Sequence, residues 1–334
     1  MKPAVFGISG TSLTADETAF LRDARPMGVI LFRRNIDTPE QVRRLNDSVR
    51  AALGRDGACL WVDQEGGRVQ RLTEPHWEKL PAAARIGGCW RDDPEIAEYA
   101  AWLLGRIIAD QVASAGFDIA CAPVLDLTVP GTHEVIGDRA FGAGPAVVAA
   151  LGRAVAEGLI AGGVLPVSKH WPGHGRALVD SHHDLPTVDT DRQGLLETDI
   201  EAFRLASDCA PIAMTGHLVF PAFDAAHPAT LSAQVIAEVI RGHCGFEGFL
   251  ISDDLDMKAL TGAPGELAGA ALAAGCDGVL QCSGDFATMC AVADALDDMT
   301  DSARFRWDAA CGMQQAADEV DRSQLIEELR DVVE

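Results

Sequence analysis

Short apolar runs alternate with longer amphipathic stretches along almost the whole chain. The apolar runs are AVFGIS from Ala4, GVILF from Gly28, CLWVD from Cys59, FDIACAPVLDL from Phe117, GVLPVS from Gly163, APIAMTGH from Ala210, GFLISDD from Gly248 and DGVLQCS from Asp277. They are continuous rather than alternating, as expected of strands covered on both faces. Between them, DETAFLRDA, TPEQVRRLNDSVRAAL, PEIAEYAAWLLGRIIADQVASAG, PAVVAALGRAVAEGLIAG, RQGLLETDIEAFRLAS, SAQVIAEVIRGHC, PGELAGAALAAG and FATMCAVADAL read as helices. Thr38, Pro39 and Gln41 spell a capping box at one helix start, Ser232 caps another, and Gly116 closes VASAG. Eight strand–helix units predict an α/β fold, a closed (β/α)8 TIM-type barrel in a single domain over residues 1–334. The last stretch, from DSARFRWDAAC onward, reads as extra C-terminal helices. A doubly wound open sheet is the alternative; it would want a glycine-rich dinucleotide turn after an early strand, and no GxGxxG is present there.

Composition narrows the partners. No apolar run reaches the roughly 20 residues of a membrane span, and MKPAVFGISG lacks the apolar core of a signal peptide, so a cytoplasmic protein with no membrane partner is expected. A formal charge of -23 repels phosphate backbones and argues against nucleic acid. The nine cysteines contain no CxxC pair and read as reduced thiols. A monomer acting on a small molecule, with no cofactor, is the expectation.

Barrel chemistry gathers where strands end. Those ends carry Asp63, Asp126, Lys169 with His170, His217, and Asp253 with Asp254. The densest polar stretch is KHWPGHGRALVDSHHDLP, residues 169–186. Trp171-Pro172-Gly173 stops a helix, so His170 and His174 are not an i,i+4 zinc pair, and no Cys or His set of metal spacing completes a site; no metal is expected. Asp180 and His182 are two apart, so in an extended segment they face one way, and a carboxylate beside an imidazole is a general acid/base arrangement. No GxSxG elbow supports a serine hydrolase. VDQEGGRVQRL supplies Asp63, Arg68 and Arg71, and VIGDRAFG supplies Asp138 and Arg139. Carboxylates and arginines of this kind suit sugar hydroxyls or structural ion pairs.

With GVILFRRN, VDQEGGRVQRL, APVLDL, VIGDRAFG, KHWPGHG, DSHHDLP, MTGHLVFPAFD, PATLS and GFLISDDLDM in this order, the chain resembles bacterial family-3 glycoside hydrolases of the β-N-acetylglucosaminidase type, cytoplasmic cell-wall-recycling enzymes built on one barrel. The resemblance implies Asp253 as nucleophile, His182 as general acid/base and Asp180 as its dyad partner. It also implies that Asp63, Arg71, Arg139, Lys169 and His170 hold an N-acetylglucosamine ring, with His217 lining the site. The implied substrate is a glycan or muropeptide, cleaved with retention and without a metal. Three positions depart from the pattern. PGHGRAL stands where PGHGDT is usual, placing Arg176 where an acid is common; Asp256 replaces a frequent serine, and Ser283 a frequent asparagine. Arg176 bears on loop closure and aglycone preference. A phosphorylase on the same scaffold is one alternative, because a histidine acid/base would not repel phosphate as a glutamate would, and Arg176 adds a cation nearby. A non-catalytic sugar-binding barrel is the other.

Overall fold

The computed structural model describes every residue except 56, 58, 319 and 334. Eight parallel strands close into a ring: β1 (Lys2–Gly7), β2 (Pro26–Leu31), β3 (Leu60–Val62), β4 (Ile119–Ala120), β5 (Leu165–Trp171), β6 (Ile212–Thr215), β7 (Phe249–Asp254) and β8 (Gly278–Gln281). Each strand pairs with its neighbour in sequence, and β1 pairs with β8 to complete the barrel. The eight predicted strands and the closed (β/α)8 architecture are therefore present.

Helices α1 (Ala15–Ala24), α2 (Pro39–Leu53), α3 (Ala83–Cys89), α4 (Pro94–Ser114), α5 (Pro145–Ala161), α6 (Arg192–Glu197), α7 (Asp199–Leu205), α8 (Pro264–Ala274), α9 (Phe286–Ala295), α10 (Asp301–Cys311) and α11 (Arg322–Val333) accompany the strands. The Thr38 cap accepts the Gln41 N–H, but the Gln41 side chain accepts from Asp37 rather than from the cap itself. The stretch expected as one helix over residues 192–207 is two. Thr198 breaks it: its hydroxyl donates to Gly194 C=O and contacts the Asp199 carboxylate, a side-chain alternative to the helix ladder. The segment after Ser232 winds as a π-helix over Val235–His243, with the Cys244 N–H reaching Val239 C=O, while Val235, Ile236, Val239 and Ile240 stay buried.

Side chains alternate along each strand. Outward residues such as Phe6, Val62 and Leu250 pack under the helices. Inward residues, among them Val5, Trp61, Ile119, Leu165, Val167, Ile212, Phe249 and Ile251, fill the barrel. The floor is closed by α10: Trp307 stacks on Trp61 with ring centroids 6.1 Å apart and meets Phe249 edge-on at 5.3 Å. No helix among the described residues is long and apolar enough to cross a membrane.

Candidate active site

The inward period of two carries directly into the site. Trp61 is followed two residues on by Asp63, Val167 by Lys169, Ile212 by Met214, and Ile251 by Asp253. At β3, β5 and β7 polar groups thus replace the apolar filling where the strands end, while at β6 Met214 stays apolar. There a cavity opens, about 610 Å³ with its mouth included, lined by Asp63, Glu65, Arg71, Arg139, Lys169, His170, His182, Asp253 and Asp254, with Phe32, Met214 and Met257. That is room for a small polar ligand.

One wall is a network of charges. Lys169 is buried and its Nζ lies 3.0 Å from Asp63 and 2.7 Å from Glu65. Arg71 bonds Asp63 at 2.9 Å, and Arg139 grips Glu65 through two bonds of 2.8 Å. Such bidentate, charge-assisted bonds are strong and directional. Burial alone would raise both carboxyls, but Lys169 and Arg71 hold Asp63 well below the usual range. Arg139 and Lys169 likewise bring Glu65 down to about 2. The same carboxylates outweigh the effect of burial on Lys169 and raise it, so all these groups are charged at neutral pH.

A second wall holds His170, whose Nδ1 meets Asp126 at 2.7 Å and whose Nε2 lies 3.4 Å from Arg139. Asp126 is fully buried; burial pushes it up, but its bonds to His170 and His174 keep it low. On the facing loop the Asp180 carboxylate lies 2.7 Å from His182 Nδ1 and accepts the His182 N–H at 2.9 Å. His182 itself lines the cavity. Asp253 accepts the Asp254 N–H at 2.8 Å. Burial would raise Asp253, but the imidazoles of His170 and His217, that N–H and the Lys169 ammonium together lower it, so it is a carboxylate at neutral pH.

Of the expected residues, Asp63, Arg71, Arg139, Lys169, His170, His182 and Asp253 line one cavity, and Asp180 stands behind His182. His217 does not. It is fully buried, with Nδ1 bonded to Thr230 at 2.8 Å and Nε2 to the Asp254 carbonyl at 2.9 Å, so it braces the end of β7 and is not among the cavity-lining residues. Both nitrogens are spent on protein atoms, and burial lowers its pKa. Arg176 also turns away: it pairs with Asp199 at 2.5 Å and donates to Thr198 at 3.0 Å. Arg68 and Asp138 form an exposed pair on the loop. Glu65 is the residue the sequence reading passed over. The signal was its place close to Asp63 in VDQEGGR, two residues past an expected site carboxylate. No three His, Cys, Asp or Glu side chains gather as metal ligands among the described residues.

A parallel barrel whose strand ends carry a charged, sugar-sized cavity has the form of a barrel enzyme. Residues 6–309 match the family described as Glycosyl hydrolase family 3 N terminal domain. A Beta-hexosaminidase of Alkalilimnicola ehrlichii is 43% identical over 285 residues, covering 84% of this chain and 80% of that protein. A Beta-hexosaminidase of Bordetella avium is 39% identical over 284 residues, covering 84% and 80%. Among solved structures, NagZ of Neisseria gonorrhoeae in complex with N-trifluoroacetyl-D-glucosamine superposes with a TM-score of 0.88 at 33% identity, covering 99% of this chain and 97% of that one. The chain belongs to glycoside hydrolase family 3, and the protein is an enzyme of that family.

Proposed function

We propose that the protein is a retaining exo-β-N-acetylglucosaminidase that removes non-reducing terminal N-acetylglucosamine from cell-wall muropeptide fragments in the cytoplasm. The observation that carries this reading is that Asp253 and His182, with Asp180 bonded behind it, line one cavity whose remaining wall is built of paired charges. The names of the relatives and the glucosamine derivative bound by the Neisseria protein favour the N-acetylhexosamine. Buried thiols at Cys121, Cys209, Cys244, Cys276 and Cys282 suit a reducing compartment.

In this reading Asp63, Arg71, Arg139, Lys169 and His170 hold the sugar, with Glu65 keeping Arg139 and Lys169 in place. Asp253 attacks the anomeric carbon and the glycosidic C–O bond breaks through an oxocarbenium-like state. Protonated His182 gives its proton to the leaving oxygen. Neutral His182 then takes a proton from water, the water oxygen bonds to the anomeric carbon, and the Asp253 carboxylate leaves. Asp180 stabilises the imidazolium in the first step and fixes the tautomer in the second. His217 supports Asp253 through the Asp254 carbonyl. Phosphorolysis, kept open because a histidine acid/base would not repel phosphate as a glutamate would, loses only its secondary support, since the Arg176 cation is committed to Asp199.

The test is incubation with an aryl β-N-acetylglucosaminide, with and without phosphate, and identification of the sugar by NMR. Free N-acetylglucosamine appearing first as the β-anomer is expected. Sugar-1-phosphate would move the reading to phosphorolysis, and the α-anomer first would remove the covalent step. Asp253→Asn should abolish turnover and leave the thermal melt intact; near-normal turnover in pure protein would refute the assignment.

A further inference from the structure

The segment from Leu178 to Leu185 carries the Asp180–His182 pair on the surface, yet its attachment to the barrel is narrow. Among the described residues, the hydrogen bonds joining it to the rest of the chain both run through Ser181. Its hydroxyl lies 2.9 Å from His174 Nε2, and its carbonyl accepts the Ala259 N–H at 3.3 Å. The other bonds are internal: Asp180 with His182, and the N–H groups of His183 and Asp184 to Asp180 C=O at 2.9 and 3.0 Å. Ser181 is 2% exposed while the His182 side chain beside it is 61% exposed. The segment is a turn rather than the extended stretch expected from the sequence, and within it Ser181 is buried while His182 is exposed.

His174, on the other side of that bond, is 3% exposed and has no assigned task in the chemistry above. Its backbone N–H donates to Asp126 at 2.6 Å, and the other Asp126 oxygen holds His170. Its Nδ1 is buried without a partner. A buried imidazole with one orphan nitrogen is costly where an apolar ring would pack as well. Its one side-chain hydrogen bond is the one to Ser181. Burial holds His174 down at about 4, so the ring is neutral. With Nδ1 unpartnered we assign the proton to Nε2, which donates to the Ser181 hydroxyl.

We propose that His174 and Ser181 are positioning residues: the Nε2–Oγ bond pins the segment at a single buried point and thereby registers the Asp180–His182 pair against Asp253. A bond path then runs from the pocket residue His170 through Asp126 and the His174 backbone to Ser181, so filling the sugar pocket and seating the proton donor share one support. This rests on the acid/base role given to His182 above.

The experiment measures kcat/KM for two β-N-acetylglucosaminides, one with a dinitrophenyl leaving group and one with a sugar leaving group, in wild type, Ser181→Ala, His174→Phe, the double variant and His182→Ala. kcat/KM reports the first chemical step, and only the poor leaving group needs a proton there. Ser181→Ala removes one oxygen and should fold, which a thermal melt checks. It should lower kcat/KM about tenfold on the sugar leaving group and less than about threefold on dinitrophenyl, a part of the roughly 10²–10⁴ that a positioned acid contributes. His174→Phe should match it, and the double variant should lose no more than either single change. Equal losses on both substrates, or additive losses in the double variant, would overturn the latch. If His182→Ala shows the leaving-group split and Ser181→Ala does not, the latch alone fails. If His182→Ala shows no split, the acid/base reading fails with it.

Discussion

A single ammonium, that of Lys169, stands between two carboxylates that would otherwise face each other across the cavity wall. Removing one member of such a buried set leaves its partners uncompensated. Lys169→Met is therefore expected to cost roughly 3–5 kcal/mol of folding stability, visible as a lower midpoint in chemical denaturation; an unchanged midpoint would mean that Arg71 and Arg139 suffice. Asp254, one residue beyond the proposed nucleophile, behaves in the opposite sense. Burial first, then Asp256 and Asp253, push its carboxyl up to about 7. Between its ordinary value near 4 and about 7 the folded protein holds a proton that the unfolded chain has released. Stability thus falls as pH rises through that window. Asp254→Asn keeps an oxygen for the Asp256 and Cys282 N–H groups and should flatten the fall in melting temperature between pH 4 and 7. A slope equal to wild type would place the titration elsewhere. These residues also mark what could be read in advance. Asp63, Lys169 and Asp253 were legible because each continues an inward strand face past an apolar partner. Glu65 was not, since it belongs to the short strand Gln64–Gly66, outside the barrel's alternation. The bonding of His217 could not be read from the sequence, because a histidine in a strand-end motif looks the same whether it faces the cavity or, as here, bonds the Asp254 carbonyl.

At the scale of elements, α10 shows a different limit of legibility. Its sequence, DSARFRWDAAC, mixes charged and apolar residues and announces only an added helix. What it covers is set by Trp61, on the inner face of β3, and that face is known only once the ring has closed. Trp307 is 5% exposed and sits in the same buried cluster as the barrel's inward side chains. Trp307→Ala should cost about 3–5 kcal/mol, the range for emptying a large aromatic site, while leaving KM near wild type because the floor lies at the opposite end from the cavity. A matching loss of substrate affinity would show that floor and mouth are coupled. The break at Thr198 is the converse case. The helical period runs on through it, and local hydroxyl bonding to Gly194 and Asp199 overrides the pattern.

For the whole molecule the decisive quantity is charge. The net charge is -23, yet the cavity wall sets Arg71, Arg139 and Lys169 against Asp63 and Glu65 in near balance. A neutral sugar feels little of the outer field, whereas an anionic peptide attached to it is repelled. Raising ionic strength from low to physiological should raise kcat/KM for a carboxylate-bearing substrate and leave a neutral aryl glycoside almost unchanged. A fall for the anionic substrate would point to a local cationic landing site. The closed ring has a consequence for how the chain is made. Synthesis is vectorial, and β1 emerges from the ribosome long before its second neighbour, β8, exists. Until then one edge of the first strand stays open, and Trp61 lacks its stacking partner until Trp307 follows. The barrel therefore matures late, as a nearly finished polypeptide, and a translation pause that holds α10 inside the tunnel after β8 has emerged would present a closed ring without its floor to the proteases and chaperones waiting at the tunnel exit.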